Sequence, residues 1–176
     1  KYFQEAIEID PEYAFPWIGL GVLAMNTGNP DDGLIYLRKA IRLDDENPEN
    51  WYLLGKVHYS KGEKKAALRC YREALKLDAY YNEVWSDLGR IVINEGYELR
   101  AILYLEKASK VIGEVPGIHY ILAAAWLKSG NAEKTFVHLS LALEADKDLF
   151  RMFSELFPSG KLPRKVKKLL GSYDIR

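Results

Sequence analysis

The chain has 176 residues, 48% hydrophobic and 12% aromatic, which suits a folded, well-cored protein and excludes a disordered one. Lys plus Arg and Asp plus Glu total 25 each, so a net charge of zero argues against a generally basic nucleic-acid binder or an acidic solvating protein. One cysteine excludes an intramolecular disulfide framework and any cysteine-based zinc module, and no apolar run approaches the roughly 20 residues of a membrane span.

The N-terminal stretch Lys1-Tyr2-Phe3-Gln4-Glu5-Ala6 has neither a start methionine nor a signal-peptide pattern. The compartment is left unassigned, with the cytoplasm favoured. Residues 1–9 read as a helix without its partner, expected to expose apolar groups such as Phe3 or Ile7. Asp10-Pro11 reads as a cap followed by the first residue of the next helix. From here a 34-residue period governs the chain. Trp17, Trp51 and Trp85 keep it. So do Leu20-Gly21, Leu54-Gly55 and Leu88-Gly89, the turn glycines Gly28, Gly62, Gly96 and Gly130, and Ala6, Ala40, Ala74, Ala108 and Ala142. Periods of this length mark arrays of one repeated supersecondary unit, and more such units are expected upstream of Lys1.

Within a period the pattern is helical. Trp51, Leu54, Gly55 and His58 fall at i, i+3, i+4 and i+7, which predicts a helix over 48–61 opened by Pro48. Gly62 ends it, and 64–77 form a second helix with Ala67, Leu68, Tyr71, Ala74 and Leu75 inward. The small residues Gly21, Gly55 and Gly89 mark where the two helices of a pair approach closely. One pair cannot bury its own apolar stripe, so pairs must stack. In the fourth pair, opened by Pro116, His119 replaces the tryptophan, Ala123 the glycine and Trp126 the aromatic beyond it. Ile112-Gly113 precedes it in place of Asp-Pro, so that linker is expected to bend differently. After residue 146 the period stops. Residues 148–157 read as a short helix with Leu149, Phe150, Phe153, Leu156 and Phe157 apolar, ended by Pro158-Ser159-Gly160. A last helix over 163–170 turns Leu162, Val166, Leu169 and Leu170 to one side and Lys161, Arg164, Lys165, Lys167 and Lys168 to the other.

Trp51-x2-Leu54-Gly55-x2-His58, followed by Ala67, Tyr71 and Ala74, resembles the tetratricopeptide-repeat signature, as do Trp17-x2-Leu20-Gly21 and Trp85-x2-Leu88-Gly89. The resemblance covers about residues 1–146. It implies an all-α, right-handed superhelical solenoid of antiparallel helix pairs with C-terminal capping helices. The array would occupy 1–149: a half repeat at 1–13, full repeats at 14–47, 48–81 and 82–115, and a degenerate one at 116–149. Residues 150–176 would hold the capping helices and a basic tail. The family implies a concave groove, lined by first helices, that binds a peptide or protein.

Catalytic chemistry finds little support. His58, His119 and His138 fall at three different places in the repeat and share no metal-ligand spacing on one helix, so they read as packing residues. Cys70 lacks a reactive signature. Asp31-Asp32 and Asp44-Asp45 sit where capping explains them. No phosphate-cradling loop occurs, so no cofactor, metal or catalytic residue is assigned.

The groove is the better candidate. Its ladders, read at the 34-residue interval, place Phe15, Glu49, Tyr52, Lys56, Tyr59, Arg90, Asn94, Tyr120 and Lys128 on the inner face. Aromatics beside cations suit a peptide whose carboxylate meets Arg or Lys, with tyrosine as a rigid contact. The positions of a chaperone-tail carboxylate clamp fall on Ile18, Val22, Leu53, Glu83 and Asp87, none of them the residue that clamp requires. The expected function is a non-catalytic protein-interaction scaffold, or the regulatory or recruiting arm of a larger enzyme or multidomain protein. The partner is a protein or peptide, with self-association through the end helices as a further possibility. The basic tail is the rival site: residues 161–176 hold six basic residues and one acidic, against 19 and 24 in residues 1–160.

Overall fold

A computed structural model describes residues 1–157 and 162–175. Among these, the ordered elements are all helical: α1 (Tyr2–Ile9), α2 (Ala14–Asn26), α3 (Pro30–Leu43), α4 (Pro48–Ser60), α5 (Lys64–Leu77), α6 (Asn82–Asn94), α7 (Glu98–Ile112), α8 (Pro116–Lys128), α9 (Ala132–Ala145), a 3-10 turn (Lys147–Phe150), α10 (Arg151–Leu156) and α11 (Arg164–Ser172). Two compact units divide the chain, Lys1–Ala79 and Tyr80–Arg176.

In the first unit, α2 packs on α3 and α4 on α5, each pair turning through a glycine. Gly62 has φ +76°, a left-handed value that a side chain would strain, and Gly28 adopts the same conformation in the preceding turn. The pairs close tightly because of small residues in their first helices. A Cβ built on Gly55 would collide with the Tyr71 ring, and one on Gly21 would lie 2.6 Å from Leu37. Leu34, Leu37, Leu54, Val57 and Cys70 form the core, with Met25, Ile41, Trp51 and Leu53 packed around it. The tryptophans also tie the linkers. Trp17 Nε1 donates to the Pro11 carbonyl at 3.1 Å, and Trp51 Nε1 to the Asp45 carbonyl at 2.9 Å.

Two expectations change here. Asp10 is not the start of a helix. Its backbone is extended (φ −141°), its N–H closes α1 onto Ala6, and Pro11 lies in a turn before α2 begins at Ala14. The carboxylate accepts from the Glu12 N–H at 3.0 Å, so the aspartate serves the linker. Asp44 and Asp78 end α3 and α5 in the same extended conformation. Phe3 and Ile7 are half-buried rather than exposed: the Phe3 ring lies over Gly19 and meets Phe15 edge-on. Tyr2 and Ile9 are the exposed apolar groups of α1.

In the second unit α6 pairs with α7 and α8 with α9, and Gly89 admits Leu105 as Gly21 admits Leu37. The linker after α7 does differ: Gly113 ends that helix at φ +81° instead of an extended aspartate. Every residue of α8 from Gly117 to Ala125 is buried. A helix apolar all round must be covered all round, and the chain beyond α9 supplies the covering on its inner side. The predicted helix over 148–157 is a 3-10 turn running into the six-residue α10, packed on α8 and reaching α6. α11 packs on α9 through Val166 and Leu170, with Arg164, Lys165, Lys167 and Lys168 exposed. Lys161 and the predicted break at Pro158-Ser159-Gly160 lie outside the described residues.

Candidate protein-binding surface

The first helices carry the predicted surface, and the two units present it differently. In the first unit, α4 begins at Pro48, with Asn47 accepting the Glu49 N–H at 2.9 Å, so Glu49 emerges exposed in the first turn. One turn on, the Tyr52 ring packs on Tyr71, centroids 5.8 Å apart, which fixes its plane. Lys56 is exposed, with Nζ 5.4 Å from the Tyr52 centroid, within reach of a cation–π contact. Tyr59 is 38% exposed. These residues succeed one another along the helix because i, i+3, i+4 and i+7 share a face. On α2, Phe15 is 59% exposed and stacks on Tyr13 at 6.1 Å. Ile18, from the adjacent ladder, is buried. The result is an aromatic and apolar strip with one cation and one carboxylate.

In the second unit the same ladders lead elsewhere. Asn94 and Lys128, at the ends of α6 and α8, are exposed. Arg90 is engaged within the chain, its Nη2 2.8 Å from Glu155 of α10. Tyr120 is a correction: it is wholly buried. Its hydroxyl donates to the Asp146 carbonyl at 2.8 Å, and its ring meets Phe150 edge-on at 6.2 Å. Burial, with Asp146 and Asp148 nearby, pushes its pKa up to about 12. Tyr120 therefore holds the C-terminal segment and does not face solvent.

The histidines also resolve. His58 is buried, with Nδ1 2.6 Å from Glu63 of the turn after α4. His119 and His138 come together, though they are 19 positions apart on different helices. Their Nδ1 atoms lie 3.0 Å apart, the rings stack, and His119 Nε2 pairs with Glu114. Desolvation, then the neighbouring His119 and Lys134, lower the His138 pKa to about 4 against the opposing pull of Glu114. The pair lines a shallow cavity of about 330 Å³ with Glu106, Ser109 and Lys110. Spacing along one helix could not reveal it. The signal was that His119 replaces a tryptophan that faces the neighbouring helix. No group of three or more potential metal ligands forms among the described residues. Burial pushes the Cys70 thiol up, away from nucleophilic character.

Comparison with known proteins fits this geometry. One tetratricopeptide-repeat family profile matches residues 35–154 and a second matches 16–47. The chain belongs to the tetratricopeptide-repeat family. No curated protein matches the sequence. Among solved structures, MamA is similar at 24% identity and a TM-score of 0.72, covering 83% of this chain and 85% of that one. YrrB, described as a tetratricopeptide-repeat protein with an unusual peptide-binding site, is similar at 20% identity and 0.70, covering 97% and 90%. The C-terminal part of a repeat-containing protein from Cytophaga hutchinsonii is similar at 17% identity and 0.75, covering 97% and 71%. At these identities the likeness is one of fold: stacked helix pairs, the all-α tetratricopeptide solenoid. Family and fold together support a protein-interaction scaffold. No helix among the described residues is long and apolar enough to cross a membrane.

Proposed function

We propose that this chain is a non-catalytic scaffold that holds a segment of a protein partner against its first helices, with Tyr52, Lys56 and Tyr59 as the principal contacts. The observation that carries the reading is the ordered Tyr52–Lys56 pair on α4. The ring packs on Tyr71, and the ammonium 5.4 Å from its centroid belongs to an exposed lysine. A rigid aromatic with an adjacent cation recognises a peptide bearing a carboxylate and an apolar side chain, at small cost in side-chain entropy. Phe15 and Glu49 flank that site in the first unit. Asn94 and Lys128 are the corresponding exposed contacts in the second. Zero net charge favours a protein partner over a nucleic acid.

Selection from a random peptide display library tests this. Selected peptides are expected to carry an acidic residue near an aromatic or aliphatic one. Their affinity should fall at least ~10-fold on Lys56→Glu, the scale of one lost contact at the centre of a small interface, with the helical circular dichroism unchanged. Undiminished binding by the folded variant would refute the assignment.

A further inference from the structure

The stretch after α9 does not continue the repeat. A fifth first helix would resemble the 13-residue α2, α4, α6 and α8 and rest on its immediate neighbour. Instead the chain makes a 3-10 turn and the six-residue α10, which passes over α8 and reaches α6. It therefore lies across the inner face of the second unit, the face where the ladders put ligand contacts. Its seat is specific. Phe150 meets the Tyr120 ring, and the Tyr120 hydroxyl bonds the carbonyl of Asp146 just before the turn. Met152 rests on Gly117, where an added Cβ would be 3.3 Å from its Sδ. Phe153 and Leu156 are buried, and Glu155 pairs with Arg90.

We propose that the inner face formed by α6 and α8 is a receptor for a short amphipathic helix bearing aromatic side chains and one carboxylate, and that residues 147–156 are its tethered, displaceable occupant. This rests on reading the inner face as the binding surface. Three features make the occupant exchangeable. A helix of six residues has little stability of its own. Its ion pair is part-exposed at both partners (36% and 42%) and hence weakly held. Its advantage over a partner is the effective concentration that the short connection from α9 provides. The partner it selects presents the same chemistry: an aromatic on Tyr120, a flexible apolar group on Gly117, and an acidic residue at Arg90.

The test uses the full chain and a fluorescent synthetic peptide of residues 146–157, read by anisotropy. Phe153→Ser with Glu155→Lys in the chain vacates the seat. A chain relieved of an occupant that fills its site about nine-tenths of the time should bind the added peptide ~10-fold more tightly than wild type. Adding Arg90→Glu should remove that gain. No peptide binding by the folded, vacated chain overturns the proposal. Hydrogen exchange on the wild-type chain decides independently, including where the vacated variant fails to fold. Amides of 151–156 should exchange at least ~10-fold faster than those of α8 through local opening, and equal protection identifies a permanent part of the core. Neither readout depends on Lys56, so failure here and failure of the first-unit site are separable by the Lys56→Glu variant.

Discussion

His138 is the residue at which solution conditions reach the core. Its folded pKa of about 4 lies below the usual 6.5, so the unfolded chain takes the proton first as pH falls. The associated stability is intact above about pH 6.5 and is lost progressively toward pH 4. His119 and Lys134 oppose the charge and Glu114 favours it. Between pH 7 and 5 the loss should be about 1 kcal/mol, the full conversion of ~1.4 kcal/mol per pH unit being discounted for the part-exposed ring. Urea midpoints at the two pH values check this: His138→Leu should show a smaller decline than wild type, and equal declines would contradict it. The pair escaped the sequence because its two rings come from α8 and α9, and only the packed helices show that the His119 position faces His138. Cys70, which carried no reactive signature in the sequence, is buried in the core cluster of the first unit.

At the scale of elements, the helix pair is held by a missing side chain as much as by those present. Gly55→Ala places a methyl against the Tyr71 ring, which also packs on Tyr52 of the same helix as Gly55. Overpacking of this kind costs roughly 1–3 kcal/mol. The urea midpoint should drop while the slope of the transition stays the same. An unchanged midpoint would mean that the Tyr71 ring moves aside freely. Pairs, turns and close approaches were legible in the 34-residue period because the same contact recurs and so repeats the same residue type. The end of the array was not. Tyr120, Gly117 and Arg90 occupy ladder positions that look like a groove, and the period carries no information about a segment that folds back over it. The one signal was α8 itself: Tyr120, Ala124 and Leu127 stand where α4 has Tyr52, Lys56 and Tyr59, so the face had lost the cation expected of an open surface. Asp10 was misread for a related reason. Asp-Pro before a helix suits an N-cap, yet here the aspartate closes the preceding helix and turns the linker.

For the molecule as a whole, a solenoid distributes stability through neighbours. Each unit is compact in itself, so damage should stay near its source. Leu105→Ala, a fully buried truncation beneath Gly89, should cost about 2–5 kcal/mol locally. Hydrogen exchange should then accelerate in α6 to α9 far more than in α2 and α3. Uniform acceleration along the chain would indicate one cooperative block instead. The charge distribution belongs to this scale too. Arg164, Lys165, Lys167 and Lys168 line the exposed side of α11, and Lys165 is 2.7 Å from Glu133 of α9, so part of that charge seats the cap on an otherwise acidic array.

The linker bonds of the tryptophans make the chain its own optical probe. Trp17 and Trp51 each donate an indole N–H to a carbonyl six residues back, so their emission reports the linkers before α2 and α4. Trp126 sits differently, its N–H buried without a hydrogen-bond partner and its ring 4.0 Å beneath the Lys134 ammonium. Light from these three of the four tryptophans therefore comes from two kinds of environment. Loosening of the first unit's linkers and loosening of the α8–α9 pair should shift the emission band by different amounts. A single-wavelength melt would merge them, whereas the full spectrum tracked through unfolding distinguishes one end of the array from the other.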